Sequence, residues 1–461
     1  MRSLGRGFLA LVLGFAVVVG ATAAERLGPA EPAAGVRGTA VSSVWLCPHG
    51  GGDGWDGAIV LADPGPNPVD VRLTDLGAEG AGTPVTVTVP AGHEVLQSVR
   101  SDSSSDATYV EVFGGWVAAG WVLRGDAAAP GVAAEPCAPA GARSWFVVDS
   151  DTEQHHHSSL VVMNPFSVDA VFDVALFRPR LPPIRSADWT DITLAPGRTR
   201  SLDVGAKLLG QPIVGVEVDV SRGRVAAASL SWSADTGLRS VLATPAGSPT
   251  WYLPVAQGAG QSQLAVMVPG SQAVQLTTKL LSSEAAPIGA GDAADTEQPG
   301  ASTAGYDIIS TGASSVDVSS PSGEPVVVAL RAAGRAGDAA ATGGAAAPAM
   351  AWVVTPTIAS ASAHPGLVIV NPGDAPADVT LRLLQKGEAG VGPETTITVP
   401  PGRTASAPTG FLQQGPEAAV LVTSTAAVVA LGTSTSGGKK GLDFYASAVG
   451  LPVPPDLVSA L

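Results

Sequence analysis

Two cysteines, 5% aromatic residues and 14% charged residues are a thin supply in a chain of 461. Dense disulfide scaffolds, multi-cysteine metal clusters and extended stacking platforms are thereby excluded. Cations are also scarce: Lys+Arg 25 stand against Asp+Glu 40, giving a net charge of −15. A chain without basic clusters does not follow the phosphates of nucleic acid, so nucleic acid is not an expected partner. The acidic balance repels anionic lipid while keeping the protein soluble. No Gly-x-Ser-x-Gly elbow, His-Glu-x-x-His helix, phosphate-binding loop or catalytic-cysteine signature occurs, so no catalytic residue and no cofactor are expected. All three asparagines, Asn67, Asn164 and Asn371, precede proline, which removes any N-glycosylation sequon. Low charge with abundant Ala, Gly and Pro would suit disorder, but 45% hydrophobic residues in regular alternation argue for packed β-structure.

Long apolar runs are missing beyond the N-terminus, where Pro, Gly or charge interrupts every run within about ten residues. Residues 1–24 are the exception. Arg2 and Arg6 precede the apolar stretch Phe8 to Val19 and small residues through Ala24, the layout of an export signal, cleaved or retained as an anchor. The mature chain is expected outside the cytoplasm, in the extracellular space or the cell envelope. In that compartment Cys47 and Cys137 are expected to pair, closing a loop of 90 residues; two buried thiols are the alternative.

What is present is repetition. Trp45, Trp145, Trp251 and Trp352 each open a unit, and each is followed by a variable loop, a short apolar run and an anchor proline. The anchor prolines Pro64, Pro165, Pro269 and Pro372 are 101, 104 and 103 residues apart, the size of one domain. Before three of them an Asx or Asn residue (Asp63, Asn164, Asn371) is placed to bond the backbone two residues on. The apolar runs, such as Leu160-Val161-Val162-Met163, read as buried strands, and the returns, such as Ala170 to Phe177, as hairpin strands with one wet face. About six or seven strands per unit suggest an all-β chain of four tandem immunoglobulin-like β-sandwiches, spanning 40–126, 143–245, 249–332 and 350–461. Gly125 to Ala142 and Ala332 to Ala349 read as linkers, and Ala285 to Ala304 as a long loop in a degenerate third unit.

Two local features invite chemistry. In the run from Asp149 to His157 an extended backbone would set Asp149, Asp151, Glu153, His155 and His157 on one side, and carboxylate with imidazole suits a divalent metal. The comparable loops of the other units carry nothing similar, so a solvated polar loop is the plainer reading; Asp151, Glu153, His155 and His157 stay as metal candidates. His157 and His364 share a register eight residues before their prolines, which suits a structural hydrogen-bonder. Gly52 to Gly57 matches a dinucleotide fingerprint in letters only, because a strand rather than a helix follows. Trp55 in that loop, with Trp116 and Trp121, makes up the set of aromatics that a glycan or a partner would stack on.

The best copy of the repeat, Trp352, His364, Leu367, Asn371-Pro372 and Val399-Pro400-Pro401-Gly402-Arg403-Thr404, resembles the small β-sandwich domain of the sensory-rhodopsin-transducer type. As a whole the chain is similar to an actinobacterial family of exported or membrane-anchored envelope proteins with no assigned activity. The resemblance implies an all-β fold and an envelope location, and it transfers no functional residue. The expected function is a non-enzymatic envelope scaffold or accessory protein acting through contacts with an envelope or membrane protein. Cell-wall glycan binding is the alternative, and a metal-dependent enzyme is the least favoured.

Overall fold

A computed structural model describes residues 41–461 apart from 127, 256–261, 284–293, 309–313, 334–338, 356–363, 386–391, 416, 438–442 and 460. Residues 1–24, read above as an export signal, lie outside the described residues. The chain is all-β, as expected; among the described residues helix is confined to single turns such as Thr409–Leu412 and Pro455–Val458.

Each repeat folds into two facing sheets of four main strands. In unit one the first (Val41–Cys47), sixth (Ala107–Phe113), third (Val69–Gly77) and fourth (Val85–Val89) strands form one sheet in that order. The fifth (Glu94–Val99), second (Asp56–Ala62), seventh (Ala118–Arg124) and eighth (Val132–Pro136) form the other. Units two, three and four repeat this order, with the fourth strand of unit two split in two and the sixth and seventh of unit four fused into Ala419–Gly437. In an immunoglobulin domain the first strand lies beside the second. Here the first pairs with the sixth and the second with the seventh, so the strand order departs from the immunoglobulin pattern.

The repeated tryptophan holds the crossover between the sixth and seventh strands. Its indole Nε1 donates to the carbonyl just before the seventh strand in all four units: Trp45 to Val117 (2.8 Å), Trp145 to Val225 (2.7 Å), Trp251 to Val326 (2.8 Å) and Trp352 to Val428 (2.8 Å). A buried ring thus finds a partner for its one polar group. The anchor turns behave as the sequence implies: Asn164 Oδ1 accepts the Phe166 amide and Asn371 Oδ1 that of Gly373, two residues on.

The units are not beads on a string. Ile59, Val60, Leu61 and Ala62 are all fully buried, which requires cover on both faces of their sheet. Ile59 and Leu61 pack inside unit one, whereas Val60 packs with Ala448 of unit four. Likewise Val161 and Leu230 pack against unit one, and Ala265 and Met267 against unit two, while Leu264 and Val266 stay inside unit three. Tyr252 and Leu281 of unit three join the core of unit four. The four sandwiches therefore close into a ring, each sheet packing on its own partner and on a neighbour's sheet. Gly215 marks the closeness of one joint, since a Cβ there would stand 2.7 Å from the Met267 sulfur. Unit four meets unit one through the same kind of joint, with the Ala419 amide donating to Glu94 Oε2 at 2.6 Å.

The segments read as linkers hold strands. Val132–Pro136 and Ala339–Gly343 are the eighth strands of units one and three, so these units run past 126 and 332, and no free hinge joins units three and four. In the stretch read as a loop, residues 284–293 lie outside the described residues, but Ala294–Gln298 and the start of Ser302–Ile308 are strand. At the ring's centre the eighth strands, Val132–Pro136, Gly237–Leu242, Ala339–Gly343 and Asp443–Val449, stand side by side around an axis. After each of them the chain returns to the first strand of its own unit, as in Leu46 with Ala138, Phe146 with Thr244 and Tyr252 with Ala345. The expected disulfide is formed at the first of these returns, Cys47 to Cys137 with Cα atoms 4.6 Å apart.

Candidate functional site

The loop from Asp149 to His157 does not run extended. Asp151 Oδ1 accepts the Glu153 amide (3.0 Å) and the His156 amide returns to the Glu153 carbonyl, a tight turn that places His155 at φ 69°. This breaks the alternation that would have aligned His155 and His157 with Asp151. It is His156 that meets Asp151, Nδ1 to Oδ2 at 2.7 Å, and Asp151, Glu153 and His156 bring three ligand atoms within 4.8 Å of one another. The Arg239 guanidinium already lies 3.5 Å from the same Asp151 oxygen, and its charge opposes a divalent cation there. Asp149 is fully buried and serves the ring instead: Arg239 of unit two and Arg331 of unit three both bond it, at 3.3 and 2.5 Å. Arg331 also donates to the carbonyls of Asp149 and Pro212, both at 2.7 Å, which makes it a clamp across the joint of units two and three.

His157 stacks on Trp232 (5.2 Å, 16°), and Trp232 meets Trp55 edge-on at 5.6 Å, so a residue of each proposed set comes together at the joint of units one and two. His364, its counterpart in register, is exposed. The aromatic set is corrected by burial: Trp121 is 1% exposed, bonded to Ser240 Oγ at 3.3 Å, and Trp55 is 8% exposed, so neither offers a face to a glycan. Trp116 is half-buried, edge-on to Trp45 at 6.0 Å.

A concavity lies where sequence reading placed linkers. A hollow of about 410 Å³ opens on the ring axis, lined by the ends of all four eighth strands, Pro136, Leu242, Gly343 and Val449, and walled by Phe146, Trp251 and Trp352. The returns around it are built from small residues, Cys137, Ala243, Gly344, Ala345 and Gly450 among them, because four chains converge on one line. Its lining includes one acid, Glu135. Positions equivalent to Glu135 in the strand register hold Val241, Thr342 and Ala448. Glu135 is 1% exposed, and its Oε2 accepts the Leu242 amide at 3.2 Å. Burial drives this carboxyl well above the usual carboxylate range, the Leu242 amide and the Thr342 hydroxyl draw it back in part, and the Asp149 charge pushes it further up. Glu135 was legible as the single acid between Asp126 and Asp149, but nothing in the sequence marks that stretch as an axis.

Residues 113–353 and 337–454 match the profile of a family of unknown function, DUF5719. The chain belongs to that family. No curated protein matches this DUF5719 chain. Among solved structures it is similar to the tetra-tandem repeat in the extending region of a large adhesion protein, at 13% identity over 85% of this chain and 93% of that one, with a TM-score of 0.10. A Ca²⁺-stabilised adhesin with which an Antarctic bacterium binds ice aligns at 13% identity over 90% and 100%, TM-score 0.11. Trypsin-activated α-2-macroglobulin from Escherichia coli aligns at 10% identity over 89% and 42%, TM-score 0.12. Similarity at these scores carries no argument about this chain. Among the described residues no helix is long and apolar enough to cross a membrane.

Proposed function

We propose that this DUF5719 protein is a non-enzymatic, exported scaffold of the actinobacterial cell envelope, working through contacts with an envelope or membrane protein. The observation that supports the reading most is the row of fourth strands. Each is the outer edge of its sheet, Val85–Val89, Leu181–Arg185, Ala294–Gln298 and Glu394–Val399, and each is largely exposed. Val85 and Leu181, two of the exposed large apolar side chains, stand at 48% and 52% on two of these edges. An open edge offers main-chain donors and acceptors to an added strand, and four of them on one ring give a partner several points of attachment. The Arg2 to Ala24 segment and the disulfide suit an exported protein.

Cross-linking in intact cells, followed by purification of the tagged chain and mass spectrometry, tests the reading. The expected result is one reproducible envelope protein whose cross-links map to the fourth strands. Recovery of wall glycan alone would replace the scaffold with a carbohydrate-binding module.

A further inference from the structure

We propose that two copies of this chain pair through the fourth strand of unit one, Val85–Val89, antiparallel about a two-fold axis at Val87, so that their first sheets join into one. The proposal uses one of the open edges described above and does not depend on the scaffold reading. The four edges differ in how they are guarded. Sheets of soluble proteins protect a free edge with charge or proline. Leu181–Arg185 of unit two holds Pro182, Pro183 and Arg185, Ala294–Gln298 of unit three holds Asp295 and Glu297, and Glu394–Val399 of unit four opens with Glu394. Val85–Val89 reads Val-Thr-Val-Thr-Val, β-branched throughout, with neither a charge nor a proline inside it. Val85, Thr86 and Thr88 are exposed.

The free hydrogen-bonding groups of this edge suit a copy of itself. The Gly82 amide donates to the Asp75 carbonyl at 2.7 Å, so the odd-numbered residues of the third strand face the fourth. The register sets Val69 opposite Val89, Val71 opposite Val87 and Leu73 opposite Val85. The valines therefore bond inward, while Thr86 and Thr88 turn their amides and carbonyls outward. The next outward positions, Pro84 and Pro90, have no amide to offer. A two-fold axis at Val87 sets Thr86 of each copy opposite Thr88 of the other, for about four main-chain hydrogen bonds. Val85 then meets Val89, Val87 meets Val87, and Pro84 meets Pro90, so every outward amide of the edge finds an acceptor. Paired β-branched side chains add to the seam, and no like charges face one another across it. Pairing uses up both edges, so the assembly closes at two copies.

Sedimentation velocity of the disulfide-bonded chain, residues 41–461, over a concentration series tests the pairing. The expected result is a reversible shift from one chain to two, with a Kd of about 10 to 100 μM for so short a seam. Hydrogen exchange should show the amides of Thr86 and Thr88 protected at high concentration and open on dilution. Thr86→Pro removes an outward amide without touching a bond inside the sheet, and is expected to hold the chain single at every concentration with an unchanged circular dichroism spectrum. Thr86→Lys is expected to do the same by guarding the edge, and it carries the test if the proline variant fails to fold. Thr396→Lys, on the exposed edge of unit four, is expected to leave the association as it was. A single chain at all concentrations, association that survives in a folded Thr86 variant, or association lost in Thr396→Lys would overturn the pairing. None of these results bears on the envelope partner, which the cross-linking experiment reads separately.

Discussion

Asp63 occupies the anchor position that units two and four fill with asparagine, and the difference sets up a pH-dependent weakness in unit one. Asn164 Nδ2 donates to the carbonyls of Val168 (2.8 Å) and Leu194 (2.9 Å), and Asn371 Nδ2 to those of Ala375 (2.8 Å) and Val399 (3.0 Å). By register the corresponding carbonyls in unit one belong to Asn67 and Val89. Asp63 Oδ1 accepts the Gly65 amide at 2.7 Å, but Oδ2 is buried with no hydrogen bond, since a carboxylate has nothing to donate. Burial raises its pKa from 3.8 to about 7, with the Gly65 amide and His93 opposing. Because the folded pKa lies above the unfolded one, this group's stabilisation is complete below pH 3.8 and is lost as pH rises towards 7. Three pKa units correspond to about 4 kcal/mol, and relaxation around the site reduces this to about 2 to 4 kcal/mol. Asp63→Asn supplies the missing donors at every pH. Thermal unfolding followed by circular dichroism should show the variant more stable at pH 8 by that amount, or about 2 to 5 °C in Tm for a chain of this size, with the gain vanishing near pH 4. A gain that does not change with pH, or a loss at pH 8, would refute the reasoning.

Replacing both Cys47 and Cys137 with serine opens the 90-residue loop, and denaturant unfolding should report a loss of about 4 to 5 kcal/mol from chain entropy, less any strain relieved. Arg331→Leu leaves Asp149, at 0% exposure, with Arg239 alone across the joint of units two and three; the expected cost is about 3 kcal/mol, read as a lower urea midpoint. Trp352→Phe keeps most of the buried ring but orphans the Val428 carbonyl, and calorimetry should record a loss of about 1 to 3 kcal/mol.

The units, their anchor turns and the disulfide were legible from short signals: a tryptophan at a fixed offset, an Asx before proline, and a lone pair of cysteines in a chain read as exported. The ring was not read, although its signal was present. Runs such as Ile59-Val60-Leu61-Ala62 and Leu160-Val161-Val162-Met163 do not alternate with polar residues, which means cover on both faces, and a lone sandwich covers only one. The linkers were misread for a related reason. Ala, Gly and Pro accumulate in flexible connectors, but they also accumulate where four strands converge and no larger side chain fits, as around Pro136 and Gly343. Glu135 and Asp149 were therefore missed as partners of the axis and of the joint, since their neighbours, Leu242, Thr342 and Arg331, are remote in sequence. Of the metal candidates, Asp151 and Glu153 stand together with His156, whereas His155 and His157 do not join them, because the Asx turn at Asp151 breaks the alternation on which their alignment relied.

Closure of the four units into one ring underlies the axial hollow and the outward-facing edges alike, and small-angle X-ray scattering of residues 41–461 in dilute solution tests it directly. A closed ring of some 420 residues should have a radius of gyration of about 22 to 25 Å, close to that of a single compact body. Four sandwiches strung end to end would give roughly 40 Å, and that result would contradict the account.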